Sequence, residues 1–295
     1  MRVPAFAKIN SSLNIIAKRP DGYHELRTIF QAISLCDTVQ LTHRKSSGGD
    51  FEYSFTSDDS AMVSDDNLII RAVRAFEREF GLRGSLSIHL EKKIPVARGL
   101  GGGSSDAAAT LIGLVKLTDA SLPLAKIIKL AASLGADVPF FLFGGRALAV
   151  NRGDEIYPLP DLPKRSVVVV SPKGIGVSTK DAYEWASAES TKDSEPHKLF
   201  QFCALCWSRQ EPRLANDFEG PVFRRHPRLE EIRAGLLKRG AADAALAGSG
   251  SAVFGIFRNP AQARRSAREF PEDSVFVVET LSRARYARAI GWRAR

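Results

Sequence analysis

The chain has 295 residues, of which 44% are hydrophobic and 25% are charged, and its formal net charge is +9. This composition is ordinary for a globular protein, and the length predicts about two domains. No run reaches the roughly 18 apolar residues of a membrane-spanning helix, and the amino terminus has no apolar signal segment, so we expect a cytoplasmic protein without a membrane partner. The three cysteines, Cys36, Cys203 and Cys206, are too few for a disulfide framework.

The excess of positive charge suits either an anionic small molecule or a nucleic acid. Arginines are dense only near the carboxyl terminus and at Arg224 and Arg225, with few aromatic residues between them. We therefore interpret these runs as solvated surface, and a nucleic-acid partner is the less favoured alternative. Cys203 and Cys206 form a single CxxC without a second pair, which indicates buried thiols rather than a metal site.

Residues 3–18 mix apolar and small polar side chains and predict an extended segment. Lys8 and Asn10 lie on one face of it, because strand neighbours two apart point the same way. A lysine in a largely apolar strand is costly unless it meets an anion. An edge strand with Lys8 in water is an equal alternative.

Residues 19–22 read Arg-Pro-Asp-Gly, which predicts a turn. Tyr23 and His24 follow this turn and offer an amphipathic ring beside a donor–acceptor ring. Such a pair can stack on a heterocycle and hydrogen-bond to it, although packing of the turn is an equal interpretation. Residues 30–41 then predict a strand.

The most distinctive segment is a glycine loop between a predicted strand at 85–91 and a predicted helix at 104–117. Without Cβ atoms the loop admits phosphate oxygens to the main chain, and the helix adds unpaired N–H donors. We expect Ser104 or Ser105 to cap the helix and Asp106 to lie in its first turn. Neither a Walker A string nor a Rossmann fingerprint is present, and a turn that only packs is the alternative.

Residues 123–134 repeat apolar residues at helical spacing and predict an amphipathic helix ended by Gly135. Asp137 then leads an apolar, aromatic run. An isolated carboxylate there would be poorly placed, and a cation such as Lys8 would resolve this. A cap or turn aspartate is the alternative.

The second half begins near residue 156 and opens with a buried strand predicted at 166–171. A helix predicted at 179–188 carries Tyr183. Gly248, Ser249 and Gly250 form a second glycine turn, which either closes over phosphates from the opposite side or is a plain hairpin. Helices on one face of an antiparallel sheet give this half an α+β architecture.

Three blocks now stand in order: Ala-Lys-Ile-Asn at 7–10, Pro-Val-Ala-Arg-Gly-Leu-Gly-Gly-Gly-Ser-Ser at 95–105, and Ala-Gly-Ser-Gly at 247–250. Together they resemble the GHMP superfamily of small-molecule kinases. Pro-Asp-Gly-Tyr-His at 20–24 and Gly-Ala-Asp-Val-Pro-Phe-Phe at 135–141 are similar to the branch that phosphorylates a cytidine-diphosphate sugar alcohol in the non-mevalonate isoprenoid pathway. The resemblance covers nearly the whole chain.

The resemblance implies a two-domain α+β fold with the active site between the domains. The domain at 1–155 would be like ribosomal protein S5 domain 2 and bind ATP, and the domain at 156–295 would be ferredoxin-like and contribute to substrate binding. ATP and Mg²⁺ are the implied cofactors. The ligands of Mg²⁺ stay unassigned, and Ser105 is a candidate because hydroxyls often serve such ions.

The resemblance also implies residue roles. Asp137 would be the base on the sugar-alcohol hydroxyl, with Lys8 beside it, and the second glycine turn would hold phosphate. The cytidine end would be held by Asn10, Tyr23, His24 and Tyr183. ATP would be held by Pro95, Val96, Ala97, Arg98, Gly99, Leu100, Gly101, Gly102, Gly103, Ser104 and Ser105.

Two departures from the superfamily pattern stand out. Ser11 and Ser12 replace bulkier apolar residues, and Arg98 replaces a small residue, where it either crowds the nucleotide or adds a phosphate contact. Two alternative functions remain at this stage. One is another kinase of the superfamily, of mevalonate or homoserine type, which would not need the rings of Tyr23 and His24. The other is a non-catalytic nucleotide- or nucleic-acid-binding protein.

Overall fold

A computed structural model of the protein describes residues 1–46, 51–118, 122–189 and 213–292, so Cys203 and Cys206 lie outside the described residues. The strands are β1 (Arg2–Lys18), β2 (His24–Arg44), β3 (Phe51–Ser57), β4 (Gly84–Glu91), β5 (Arg146–Asn151), β6 (Glu155–Pro158), β7 (Ser166–Ser171), β8 (Ala215–Asn216), β9 (Asp243–Leu246), β10 (Val253–Phe257) and β11 (Ser274–Glu279). The helices are α1 (Leu68–Phe80), α2 (Gly102–Thr118), α3 (Leu124–Leu134), α4 (Phe140–Phe143), α5 (Thr179–Glu189), α6 (Glu219–Arg225), α7 (Pro227–Lys238), α8 (Pro260–Ala267) and α9 (Arg283–Ile290).

The first sheet is built around two long antiparallel strands, β1 and β2, and its order is β3-β4-β2-β1-β8. Strand β2 is long enough to pair with β5 near its start and with β4 near its end. The β1–β2 register shifts between Phe6 and Lys8 and again between Asn10 and Ser12. Such bulges change the direction in which side chains point, and here one lies on each side of the Lys8–Asn10 segment.

The second sheet has the order β11-β7-β10-β9, and each of its pairings is antiparallel. Its strand β7 has the bounds that the sequence predicts, because a continuous β-branched run favours a buried strand. Helix α7 packs on β9 and β10, and α8 packs on β7. This is the predicted α+β arrangement.

The two sheets meet through a shared apolar layer. Ala7, Ile9 and Ile33 of the first sheet belong to the same buried cluster as Val169 and Phe254 of the second. A larger core lies on the other side of the first sheet, beneath α1, α2 and α3. The first strand, which carries Lys8 and Asn10, is therefore fixed from both faces.

Three elements that lie at or beyond residue 155 join the first sheet or its core. Strand β6 pairs with β5, and β8 pairs with β1. Helix α9 buries Tyr286 and Ile290 in the core beneath α2. The division of the chain at residue 155 remains a prediction.

The expected start of helix α2 is wrong by two residues. The helix begins at Gly102, so Ser104 and Ser105 lie inside it rather than at its cap, and Asp106 lies beyond its first turn. The reason is Gly101, whose φ of 71° makes the turn and whose carbonyl accepts the Ser105 N–H at 2.9 Å.

None of the described helices is both long enough and apolar enough to span a bilayer.

Candidate active site

Two positions of the glycine loop require glycine, both because neighbouring groups lie too close for a Cβ and because their φ angles are positive. Gly99 has a φ of 75°, and a Cβ added there would lie 1.8 Å from the carbonyl oxygen of Ala247. At Gly101 an added Cβ would lie 2.8 Å from the Phe141 ring and 3.1 Å from Cγ of Lys8. Glycine therefore lets the loop touch the second glycine turn and the lysine at the same time.

Lys8 and Asn10 form a buried polar pair on β1. The Lys8 Nζ donates to Oδ1 of Asn10 at 2.8 Å, and Nδ2 of Asn10 donates to Oγ1 of Thr28 at 2.7 Å. Lys8 is only 4% exposed, and its backbone N–H donates to the Leu100 carbonyl of the glycine loop at 3.0 Å. The strand, the lysine and the loop thus hold one another in position.

Asp137 supplies the anion that a buried lysine requires. Its Oδ2 lies 3.5 Å from the Lys8 Nζ, and its side chain is 33% exposed. Asp137 precedes α4, whose carbonyl at Phe141 accepts the hydroxyl of the buried Tyr286 at 2.7 Å. The sequence pairs Lys8 with Asp137, and this proximity is confirmed, but the contribution of Tyr286 from α9 has no local sequence signal.

A cavity of about 390 Å³ opens above this pair. Ser105 and Gly250 are not among the residues that line it. The lining includes Lys8, Asn10, Asp137, Tyr183, Pro95, Val96, Ala97, Arg98, Gly99, Leu100, Gly101, Gly102, Gly103, Ser104, Gly248 and Ser249.

The second glycine turn closes the cavity from the side of the second sheet. A Cβ added at Gly248 would lie 3.0 Å from the Gly99 carbonyl oxygen and 3.2 Å from Nζ of Lys8. The turn is held by Asn216, whose Nδ2 donates to the carbonyls of Leu246 and Gly248, both at 2.8 Å. The sequence does not indicate that Asn216 supports this turn, because the residue lies 30 positions or more from both carbonyls.

A second cavity, of about 800 Å³, adjoins the first and shares Ser104, Asp137 and Tyr183 with it. Its wall carries Tyr23, which is 56% exposed, and His24. The His24 ring stacks on the Tyr183 ring with centroids 4.6 Å apart, and its Nε2 is 2.9 Å from Oγ of Ser187. The predicted aromatic residues of the two halves therefore meet beside Asp137.

Burial disfavours the charged forms of two rings of this second cavity, those of His24 and Tyr183. Burial, with a smaller effect of Lys18, lowers the pKa of His24. Burial raises the pKa of Tyr183, and the nearby Asp137 adds to the rise. Tyr23 is covered on one face by the guanidinium of Arg152, 5.0 Å from the ring centroid, and Asp154 holds Arg152 through contacts of 2.6 and 3.1 Å.

A buried ionic network lies behind the glycine loop. The Lys92 Nζ donates to Asp37 at 2.5 Å and to Asp106 at 2.9 Å, and the other Asp37 oxygen accepts the backbone N–H groups of Lys93 and Ile94. This network ties β2 to the segment before the loop and to α2. Sequence reasoning missed it, because its members come from three separate segments.

Oxygen atoms suited to a divalent cation occur near the loop. Among the described residues there is no group of three or more His, Cys, Asp or Glu residues placed to hold a metal ion. Oγ of Ser105 and Oδ1 of Asp106 are, however, buried and find no hydrogen-bond partner within the described part of the chain. Mg²⁺ takes oxygen ligands and usually has only one or two from the protein beside substrate phosphates, so the residues present fit it.

The chain is similar to known kinases over most of its length. Residues 67–145 match the family model of the GHMP kinases N terminal domain, and residues 202–274 match that of the GHMP kinases C terminal. A solved mevalonate kinase superposes with a TM-score of 0.69 over 96% of this chain and 99% of its own. That enzyme is 15% identical, so the likeness shows a shared fold.

Closer relatives carry one name, 4-diphosphocytidyl-2-C-methyl-D-erythritol kinase. The relative from Solibacter usitatus is 43% identical over 98% of this chain and 90% of its own, and that from Moorella thermoacetica is 39% identical over 95% and 99%. A crystal structure of 4-(cytidine 5'-diphospho)-2C-methyl-D-erythritol kinase is 35% identical, with a TM-score of 0.79 over 95% of this chain and 99% of that one. The chain belongs to the GHMP kinases and, within them, to the family of the 4-diphosphocytidyl-2-C-methyl-D-erythritol kinases.

Proposed function

We propose that this kinase transfers the γ-phosphoryl group of ATP to the 2-hydroxyl of 4-diphosphocytidyl-2-C-methyl-D-erythritol, a step of the non-mevalonate isoprenoid pathway. The observation that carries the proposal is the position of the Lys8–Asp137 pair, 3.5 Å apart at the junction of two cavities. One cavity has a glycine loop suited to a triphosphate, and the other has aromatic rings suited to a base. The names of the relatives support the same substrate.

The loop cavity is the proposed ATP site. Loop N–H groups and the amino-terminal end of α2 attract phosphate, while Gly248, Ser249 and Gly250 approach from the opposite side. The role of Gly250 is to shape this turn, since its N–H donates to the Ala247 carbonyl at 2.8 Å. Phosphoryl transfer depends mostly on such positioning and on charge stabilisation.

Asp137 is the proposed base and Lys8 its electrostatic partner. The hydroxyl proton moves to the Asp137 carboxylate while the hydroxyl oxygen forms a bond to the γ-phosphorus, and the bond from phosphorus to the β–γ bridging oxygen breaks, leaving its electron pair on ADP. Lys8 stabilises the negative charge that spreads over the transferring group. Asn10 fixes the ammonium through its Oδ1 and lies on the wall that the sugar alcohol would contact.

Tyr23, His24 and Tyr183 form the proposed cytidine site. Their rings line the wider cavity, and burial disfavours the charged forms of His24 and Tyr183, which favours stacking and hydrogen bonding with a pyrimidine. Base stacking on an aromatic ring contributes about 1–3 kcal/mol, enough to separate a cytidylated substrate from a free alcohol.

Mg²⁺ is proposed to accompany ATP. The buried, unpartnered hydroxyl of Ser105 supports that residue as one ligand, and the remaining ligands would be phosphate oxygens and water. The bound ion would neutralise part of the triphosphate charge. Ser105 lies inside α2 and does not itself line the cavity.

The direct test is a substrate panel. The purified full chain is incubated with ATP, Mg²⁺ and one alcohol at a time: cytidylated methylerythritol, free methylerythritol, mevalonate or homoserine. Phosphorus NMR of the products is expected to show a new phosphomonoester only with the cytidylated compound. A preference for mevalonate or homoserine would replace the proposed substrate with another of the superfamily.

A further inference from the structure

Arg98 is the residue of the glycine loop that departs from the superfamily pattern, and its side chain reaches across the cavity mouth. Its Nη1 donates to Oγ of Ser251 at 2.5 Å, and that hydroxyl donates in turn to the Ile175 carbonyl at 2.6 Å. The guanidinium thus lies between the loop and the second glycine turn. Arg98 also lines the cavity proposed for ATP.

The charges around this cavity set Arg98 apart. Three cationic side chains line it: Lys8, Lys92 and Arg98. Lys8 pairs with Asp137, and Lys92 pairs with both Asp37 and Asp106. Arg98 makes no ion pair with any residue in the part of the chain that the structure describes. It is therefore an uncompensated, half-buried cation on the wall of an anion cradle.

Within the described ranges of the chain, most of the N–H donors of Arg98 have no protein acceptor. A guanidinium has five N–H donors, and the hydrogen bond to Ser251 takes one of them. Its flat array of donors matches the geometry of phosphate oxygens, and it exchanges a neutral partner for an anion at little desolvation cost. A serine hydroxyl is a weak competitor for such a group.

We infer that the Arg98 guanidinium leaves Ser251 when ATP binds and becomes a ligand of the triphosphate, in addition to the loop N–H groups and Lys8. The inference rests on the proposed use of ATP, and it identifies a side chain that discriminates a nucleoside triphosphate from the bare nucleoside. The backbone contact between the segments does not depend on this side chain, because the Ala252 N–H donates to the Arg98 carbonyl at 3.3 Å.

The competing interpretation is a brace, in which Arg98 only fastens the loop to the turn through Ser251. The two interpretations differ in what Ser251→Ala does. A brace is lost equally in Arg98→Gln and Ser251→Ala. If Arg98 instead binds phosphate, Arg98→Gln removes the guanidinium that binds it. Ser251→Ala removes only the competing hydroxyl and leaves all five N–H donors of Arg98 available for phosphate.

The test is isothermal titration calorimetry of the full chain with ATP and, separately, with adenosine, in the absence of any alcohol substrate. For Arg98→Gln we expect ATP affinity to fall about ten- to a hundredfold, as for loss of a charge-assisted hydrogen bond, and adenosine affinity to stay unchanged. Ser251→Ala should keep or raise ATP affinity. Arg264→Gln, which removes one exposed arginine of α8 that is not part of the cavity wall, is the charge-matched control and should bind ATP like the parent chain.

Salt dependence gives a second readout. The ATP affinity of Arg98→Gln should fall less steeply with added NaCl than that of the parent chain, because one phosphate-facing cation is gone. Equal losses in Arg98→Gln and Ser251→Ala, or equal losses for ATP and adenosine, would overturn the inference in favour of a brace. Unchanged ATP affinity in Arg98→Gln would overturn it as well. These outcomes are separate from failure of the proposed reaction, because no phosphorylation is measured.

Discussion

The Lys8 ammonium and the Asp137 carboxylate lie 3.5 Å apart, one nearly buried and the other open to the cavity. The difference in exposure suits their proposed roles. A buried cation fixed by Asn10 keeps a constant position, whereas a base must reach an incoming hydroxyl. The pair brings together the first strand, with its flanking bulges, and the turn before α4.

Asp137→Asn is expected to remove the proposed base and keep the site intact. The amide still fits beside Lys8 but cannot take a proton, so phosphorylation should fall by about 10²- to 10⁴-fold, the usual contribution of general base catalysis. ATP affinity, measured by calorimetry, should change little. Asp65→Asn is a control, because the side chain of Asp65 is 85% exposed in a surface ion pair. Turnover within a few-fold of the parent chain would exclude Asp137 as the base.

Arg152→Met is expected to weaken binding of the cytidylated substrate through Tyr23. The guanidinium lies over one face of the Tyr23 ring, 5.0 Å from its centroid, and methionine keeps an apolar contact without the charge. An exposed cation–π contact is worth about 0.5–1 kcal/mol, so KM for the cytidylated alcohol should rise about two- to fivefold, with kcat and the KM for ATP unchanged.

A double-mutant cycle with Tyr23→Ala isolates this effect. If Arg152 acts by holding the ring, its substitution should have no further consequence once the ring is absent. Additive losses in the double variant would instead assign Arg152 a contact of its own with the substrate.

Gly99→Ala is expected to damage the junction between the two glycine turns. The added methyl would lie 1.8 Å from the Ala247 carbonyl oxygen, at a φ of 75° that alanine disfavours. We expect unfolding free energy to fall by about 2 kcal/mol or more and ATP affinity to fall with it. Gly103→Ala is the matched control for stability, since its Cβ would meet only Cδ1 of Leu68 at 3.6 Å. Equal stability of the two variants in urea unfolding would contradict the close approach.

The sequence predicts those parts of the site in which the local surroundings of a charged residue call for a partner of opposite charge elsewhere in the chain. A lysine in an apolar strand favours an anionic partner, and a carboxylate before an aromatic run favours a cationic one, so the two patterns and the family resemblance together predict that Lys8 lies beside Asp137, as the structure has them. The start of α2 was misplaced because serine is a better cap than glycine by propensity, whereas the turn at Gly101 decides the register.

Other contacts of the site could not be predicted, because no local pattern in the sequence indicates them. Asn216 supports the second glycine turn through the pairing of β8 with β1, and Lys92 reaches Asp37 from 55 residues away. The arginines near the carboxyl terminus indicate solvated surface, yet Tyr286 of α9 is buried against the segment that carries Asp137. Each of these contacts depends on tertiary packing between distant segments, which periodicity and propensity do not encode.

The Asp106 carboxyl is expected to make stability depend on pH. Burial raises its pKa from 3.8 to about 8; Lys92 opposes the rise, and the adjacent Asp37 carboxylate adds to it. Between about pH 4 and pH 8 the folded chain therefore holds a proton that the unfolded chain has released, so the free energy of unfolding falls as pH rises, by at most about 1.4 kcal/mol per pH unit. This stabilisation is complete below the unfolded pKa and is lost as pH passes the folded one.

Asp106→Asn removes the titrating group and keeps an oxygen that accepts from Lys92, as Oδ2 of Asp106 does at 2.9 Å. Urea unfolding of both proteins at pH 5–9, without nucleotide or divalent cation, measures the difference between them. We expect the variant to gain stability relative to the parent chain as pH rises, because only the parent must ionise a buried carboxyl or retain its proton against the solvent. A stability difference that is constant over this range would show that Asp106 is already ionised in the folded chain, held in that state by Lys92.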